Sequence, residues 1–412
     1  VIKYLGSKRA LLEPIATVVS GLADVHTAVD LFSGSARVAH RLKALGLAVH
    51  ANDDALYSAT LARGVVEAHA DVHGPAAQQL VDEFNALPGE DGYFTRTFCE
   101  SARFFQPHNG RRIDRVRRAI AEKQLEPVLE AVLLASLIAA ADRVDSTTGV
   151  HMAYLKSWSP RSYKDLELRV PPLLARGVHG ASFATCGDAL DLARTTDADL
   201  AYVDPPYNQH RYCGNYHLWE TLVRNDAPAT FGVAMKRVDV KERSSPFNSR
   251  RTCESALFEL LKALRTRHVV LSFSNEGFVD LVRLRELLAE LGSVREIVIE
   301  RPRYVGARIG IHDPRGKRVG TPRHLTNEEH LFVLTRGSSA PQRASRNARE
   351  RAPTASAVGP EASERACPAR SVDFFSLSQR PSRKRKPNSA DGSTASPPTS
   401  TSLVRNSSSR PN

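Results

Sequence analysis

Two short runs put ligand-accepting groups directly after apolar segments. The first is Asp204-Pro205-Pro206-Tyr207, entered from Leu200-Ala201-Tyr202-Val203. Prolines carry no N–H and fix φ, so this segment is stiff and its carbonyls face outward as acceptors. A carboxylate and a neighbouring carbonyl can each accept one hydrogen of an exocyclic amine, and Tyr207 offers a flat face on which a base can stack. The second run is Asp30-Leu31-Phe32-Ser33-Gly34-Ser35-Ala36. A glycine turn between strand and helix lets the backbone approach a ligand, and the helix N-terminus presents unpaired N–H groups. Asp53, 23 residues beyond Asp30, is placed to accept hydrogen bonds from a ribose diol. There is one firm glycine, so the three-glycine dinucleotide pattern is absent. Alone, each run also reads as a plain turn, one Pro-rich and one carrying an exposed acid. Their shared position at the carboxyl ends of strands favours a common ligand site.

These groups need a frame. Thr27 to Phe32 reads as a short buried strand, Ser33-Gly34-Ser35 as a turn, and Ala36 to Leu45 as an amphipathic helix ended by Gly46. Leu47 to Ala51 then begins a second strand ending at Asn52-Asp53. Strand, glycine turn, helix and strand in that order favour a parallel, open α/β sheet. Residues 54–142 carry no strand signal and read as helices over Leu56 to His69, Ala76 to Leu87, Arg111 to Lys123 and Glu126 to Ala141. Residues 143–180 are irregular, with Pro160, Pro171 and Pro172. Strands return at Ala181 to Cys186, Leu200 to Asp204, His268 to Ser272, Val294 to Ile299 and His330 to Leu334.

Charge is unevenly distributed. The chain has 57 Lys/Arg against 45 acids, but 13 of those bases and only 5 acids fall after Gly337. Residues 338–412 are mostly Ser, Pro, Arg, Ala and Thr, and cannot bury enough apolar area to offset their ordering entropy, so they are expected to be disordered. The overall basicity is therefore weak evidence for a nucleic-acid partner, and local clusters must carry that argument. Candidates for phosphate contact are Arg111, Arg112, Arg115 and Arg118 on one helix, and Arg303, Arg308, Lys317 and Arg318 near the end of the folded part. Arg111, Arg115 and Arg118 share a helical face, which fits a duplex-tracking strip and equally a solvated face. No apolar run is long enough to span a membrane, since Val128 to Ala141 carries Glu130 and stops at Asp142. No secretory leader is read ahead of Lys3-Tyr4. Five cysteines without a CxxC pair argue against a disulfide framework or a cysteine zinc site and favour a reducing, cytoplasmic setting. No His/Cys/Asp cluster has metal-ligand spacing, and no metal is expected.

Taken in order, Lys3-Tyr4-Leu5-Gly6-Ser7-Lys8-Arg9, Asp30 to Ala36, Asn52-Asp53, Gly187-Asp188 and Asp204 to Tyr207 resemble the Dam-like class of N6-adenine DNA methyltransferases. Leu271 to Gly277 and Asn327 to Phe332 resemble that class's closing strands, so the similarity spans roughly residues 1–336. One departure is serine in Phe32-Ser33-Gly34-Ser35, where a second glycine is common. The resemblance implies an α/β fold: a seven-stranded Rossmann-like sheet with a mostly helical inserted DNA-recognition region and a disordered tail. The expected division is 1–53 for cofactor binding, 54–180 for target recognition, 181–337 for the rest of the catalytic domain and 338–412 for the tail.

It also implies S-adenosyl-L-methionine as cofactor, double-stranded DNA as substrate, and methyl transfer to N6 of a flipped adenine. Such an enzyme would serve as the modification partner of a cognate restriction endonuclease encoded nearby. Carried over by position, Asp204, Pro205, Pro206 and Tyr207 are catalytic. Tyr4 packs beside the methionine moiety, Lys8 reaches its carboxylate or backbone neighbours, and Asp30, Phe32, Gly34 and Ser35 form the cofactor turn. Asp53 holds the ribose, Asp188 accepts from the cofactor adenine, and Asp204 faces both cofactor and target. If the resemblance failed, Asp188 would be a helix N-cap. Two alternatives stand beside this reading. Cytosine N4 methylation uses the same amine chemistry but usually has serine in place of Asp204. An inactive DNA-binding regulator would need none of the four catalytic residues.

Overall fold

The computed structural model describes residues 2–302, 311–312, 318–320 and 326–337. The strand runs pair into one sheet from β1 (Thr27–Asp30), β2 (Ala48–Asp53), β3 (Phe183–Cys186), β4 (Leu200–Val203), β5 (His268–Ser274), β6 (Ser293–Pro302) and β7 (Thr326–Thr335). Their spatial order is β3-β2-β1-β4-β5-β7-β6. Strands β3 to β5 run parallel, and β7 is antiparallel to both β5 and β6. Every residue of β5 is buried, as both covered faces of a parallel sheet require. Ala28 of β1 lies opposite Val49 of β2 and Leu200 of β4, so the three strands end together. The winding reverses between β1 and β4, and a crevice opens outside the carboxyl ends at such a switch point.

Helices α1 (Leu12–Ser20) and α2 (Arg37–Ala44) cover one face, burying Ile15, Val18, Val38 and Leu42 against Val49 and Val270. Between β2 and β3 lies the helical insertion, α3 (Leu56–Ala62), α4 (Ala70–Ala86), α5 (Pro107–Glu122) and α6 (Pro127–Val144). Pro127 opens α6 at a position that needs no N–H, and the Glu126 carboxylate accepts from the Val128 and Leu129 amides. This helix is buried almost all round and forms the insertion's centre. Helix α4 begins at Ala70, six residues before the expected Ala76, and runs through Pro75. The irregular 143–180 stretch is pinned by two amides: Asn109 bonds Ser162, Lys164 and Leu166, and Asn85 bonds Leu168 from both ends of its side chain.

After β3 come α7 (Ala189–Thr195), α8 (His217–Arg224), α9 (Cys253–Ala263) and α10 (Leu281–Ala289). Helices α7, α9 and α10 cover the second face. Helix α8 joins the insertion instead: Leu218, Trp219 and Leu222 pack with Phe98, Phe104 and Leu137, and Ile2 joins them. Residues 54–180 therefore do not close a core alone, because the amino terminus and the segment after Tyr207 complete it. No helix among the described residues is long and apolar enough to cross a membrane. The expected disordered tail, 338–412, lies outside the described residues.

Candidate active site

The crevice at the switch point is a cleft of about 360 Å³. Tyr4, Lys8, Asp30, Phe32, Gly34, Ser35, Asp53, Asp188 and Asp204 all line it, so every residue expected to bind a cofactor converges there. The turn after β1 is fixed by its neighbours: Leu31 N donates to Tyr202 O at 3.2 Å and Ser33 N to Asn52 O at 2.8 Å. The Asp53 carboxylate accepts from Gly34 N at 2.8 Å and from Ala55 N at 3.0 Å, tying the turn to the end of β2. Burial, with Asp54 beside it, pushes the Asp53 carboxyl up to about 7.

Gly34 sits at φ +52°, and a Cβ there would lie 3.0 Å from the Tyr4 ring. Gly34→Ala is therefore expected to cost about 1–2 kcal/mol of stability from the left-handed backbone alone and to push Tyr4 out of the cleft. Thermal melting and ligand affinity should fall together.

Tyr4 belongs to an aromatic stack. Its ring lies 4.7 Å from Tyr216 at 7° and 5.4 Å from Tyr212 at 25°, and its hydroxyl meets that of Tyr57 at 3.3 Å. The segment after Tyr207 braces the amino terminus through these rings: Leu5 N donates to the Tyr216 hydroxyl at 2.6 Å, and the Tyr212 hydroxyl donates to Leu5 O at 3.3 Å.

Asp204 lines the same cleft. The Lys8 ammonium lies 3.0 Å from its Oδ1 and 3.5 Å from Oε2 of Glu329 on β7. Burial raises the Asp204 carboxyl, Lys8 pulls it back, and Glu329 raises it again, leaving it at about 6. Asp30 is 1% exposed, and neither carboxylate oxygen has a hydrogen-bond partner. Burial and the nearby Asp204 charge hold its carboxyl well above the ordinary range; the Phe32 and Ala39 amides ease this without reaching hydrogen-bond geometry. A buried carboxylate that lines a cleft and has no hydrogen-bond partner is open to a donor or cation from a ligand.

The remaining catalytic candidates divide. Pro206 lines the cleft, while Pro205 is buried. Tyr207 meets Phe273 at a 47° tilt, ring centroids 4.7 Å apart, and the Lys8 ammonium lies over the Tyr207 ring, 5.7 Å from its centre. The loop beyond is held by Asn248, whose amide donates to Asn208 O at 2.7 Å and His210 O at 3.1 Å. Asp188 is exposed and caps α7, its Oδ1 accepting from Leu190 N at 2.8 Å and Asp191 N at 3.1 Å, so the capping role and a place in the cleft coincide. Phe32 meets Phe247 edge-on at 5.3 Å. Sequence reasoning missed Glu329, Tyr216, Phe247 and Asn248 as site residues. An acid one residue before the apolar run of β7 was the available signal for Glu329. Among the described residues, no three His, Cys, Asp or Glu side chains form a group that could hold a metal ion.

The candidate DNA-contacting arginines lie elsewhere. Arg111 pairs with Asp91 at 2.8 Å, Arg115 with Glu122 at 3.3 Å, and Arg118 with Glu90. Arg112 donates to the carbonyls of Phe84, Asn85 and Leu87 and closes the end of α4. Arg303, Arg308 and Lys317 lie outside the described residues; Arg318 opens a short strand over 318–320 that pairs with 311–312.

Comparison with known proteins agrees with this geometry. Residues 4–277 match the family model described as D12 class N6 adenine-specific DNA methyltransferase. "Modification methylase StsI" of Streptococcus sanguinis is 29% identical over 307 residues, covering 70% of this chain and 46% of the relative. "Type II methyltransferase M.NlaIII" of Neisseria lactamica is 28% identical over 314 residues, covering 73% of this chain and 92% of the relative. "Type II methyltransferase M.FokI" of Planomicrobium okeanokoites is 28% identical over 309 residues, 70% of this chain and 47% of the relative. The chain thus spans about half the length of two of these relatives and nearly all of the third.

Proposed function

This chain belongs to the D12 class of N6 adenine-specific DNA methyltransferases, and on that premise we propose that it transfers the methyl group of S-adenosyl-L-methionine to the exocyclic N6 of an adenine flipped out of duplex DNA. The observation that carries this reading is the joint placement of Asp30, Asp53, Asp188 and Asp204 around one cleft at the sheet's switch point. The residues fit the cofactor's chemistry. Asp30 has unmet acceptor capacity for a cationic amine, Asp53 closes the turn where a ribose diol would lie, and Asp188 stands ready for an adenine amine. The Tyr4 stack presents π-faces, which attract positive charge. When bound, S-adenosyl-L-methionine supplies a methyl group on positively charged sulfur.

The chain's own residues do the rest. The amine nitrogen of adenine is a poor nucleophile because its lone pair is delocalised into the ring. Asp204 and the Pro205 carbonyl accept its two hydrogens, draw it toward a tetrahedral shape and free the lone pair. The Asp204 charge also stabilises positive charge developing on nitrogen. Tyr207 stacks on the flipped base, offsetting part of the few kcal/mol that extrusion costs. For phosphate contact, Arg111 and Arg118, 46% and 44% exposed, can exchange surface carboxylates for phosphates because exposed pairs contribute little. Arg115, 22% exposed, supplements them. From their basic character alone, Arg303, Arg308, Lys317 and Arg318 are proposed as further phosphate contacts. The relatives' names, modification methylase and Type II methyltransferase, support a restriction-modification setting, with a cognate restriction endonuclease as the proposed partner.

The test is incubation with radiolabelled S-adenosyl-L-methionine and mixed-sequence duplex DNA, followed by nucleoside analysis. Label is expected in N6-methyladenine. Label in N4-methylcytosine, or DNA binding without any label, would overturn the reading.

A further inference from the structure

Glu329 is an acid without an evident structural task. It sits on β7 opposite Ser274 of β5, one strand away from β4, and its side chain is 14% exposed. Its Oε2 is buried with no hydrogen-bond partner among the described residues, where the cation it pairs with is the Lys8 ammonium at 3.5 Å. That ammonium, 5% exposed, is already committed to Asp204 at 3.0 Å. One buried cation therefore serves two carboxylates, and the trio carries a net charge of −1.

This matters because methyl transfer leaves a proton to be disposed of. As the N6–C bond forms, the C–S bond breaks with its electron pair going to sulfur. The nitrogen is left as an ammonium that must lose one N–H proton. Asp204 is the carboxylate proposed to accept that hydrogen, but a carboxylate fully neutralised by its own lysine is a weak base. A second carboxylate on the same lysine restores its basicity.

We infer that Glu329 is a positioning residue that shares Lys8 with Asp204 and so keeps Asp204 basic enough to take the proton released from N6. The inference rests on the proposed methyl transfer. The groups facing Asp204 are Lys8 from the amino-terminal segment, Asp30 from β1, Tyr202 from β4, Tyr207 and Tyr212 beyond it, and Glu329 from β7. Of the negative groups, Glu329 alone also touches Lys8, so its removal leaves the lysine wholly to Asp204. The raised position of the Asp204 carboxyl, with Glu329 among its causes, agrees.

The experiment is a ¹³C-carboxyl NMR titration of the full-length chain, with Asp204 assigned through Asp204→Asn, alongside single-turnover rates against pH. In Glu329→Gln the Asp204 midpoint is expected to fall by on the order of one unit. The acid limb of the rate profile should move down with it, and the plateau rate should drop about tenfold, the range of a partial general-base defect. Glu329→Asp should restore most of both. An unmoved Asp204 midpoint in a folded Glu329→Gln protein would overturn the inference, as would a Glu329→Asp variant no better than Gln. If the wild-type protein methylated no adenine, the proposed function would fail while the titration still reported whether the trio exists.

Discussion

Asp204→Ala is expected to lower single-turnover methyl transfer to duplex adenine by at least ~10²–10³-fold, the range for removing one preorganised electrostatic contact in an active site. The loss should fall on the rate rather than on DNA affinity, because Asp204 is proposed to act on the exposed amine of a base already extruded. Wild-type activity should rise as pH increases through about 6, where the Asp204 carboxyl ionises, and level off above. The stability sign separates chemistry from unfolding. A carboxyl raised in the folded state contributes stability present below its ordinary range and lost as pH rises through about 6. Above that pH, removing the charge relieves a desolvation cost, so Asp204→Asn should melt no lower than wild type at pH 8. A folded Asp204→Ala protein that still methylates adenine at near wild-type rate would remove this residue from the mechanism.

The sheet was legible because its strands announce themselves. Thr27 to Asp30 and Leu200 to Val203 are apolar runs ending in acids, and in a parallel sheet those acids are carried to one edge. The cofactor side was legible for the same reason: Asp30, Gly34 and Asp53 belong to one strand–turn–helix–strand unit whose spacing is local. Partners brought from distant strands were not. Glu329 reaches Lys8 only because β7 inserts antiparallel between β5 and β6, a topology that no local pattern encodes. Tyr216 stacks on Tyr4 because the segment after Tyr207 folds back onto the amino terminus. The arginine row on α5 shows the opposite difficulty. Helical spacing correctly places Arg111, Arg115 and Arg118 on one face, but the acids that occupy them come from residues 90–91 and from Glu122. Charge spacing reveals a face and not its occupant.

The second large effect concerns Asp30, where function and stability should move in opposite directions. Its carboxylate is buried without a hydrogen-bond partner, and burial together with Asp204 holds its carboxyl well above the ordinary range. Leaving a buried polar group unpaired costs about 1–3 kcal/mol, more when it is charged. Asp30→Asn keeps the shape and removes the charge, so the ligand-free chain should become more stable by about that amount. The sign with pH follows from the raised folded value. Stability linked to the Asp30 proton is present in acid and lost as pH rises through that value, so the gain from Asn should be small near pH 4 and largest near pH 8. Binding should change the other way, because the cleft would lose the acceptor that a cationic amine of S-adenosyl-L-methionine is proposed to satisfy. A charge-assisted hydrogen bond contributes about 1.5–3 kcal/mol, so affinity should fall about 10- to 100-fold. Melting curves at the two pH values with and without S-adenosyl-L-methionine read both effects in one experiment. A variant that is stabilised yet binds as tightly as wild type would mean that the orphan carboxylate is not what the ligand meets. One that is destabilised at pH 8 would mean that the carboxylate has a partner in the free protein after all.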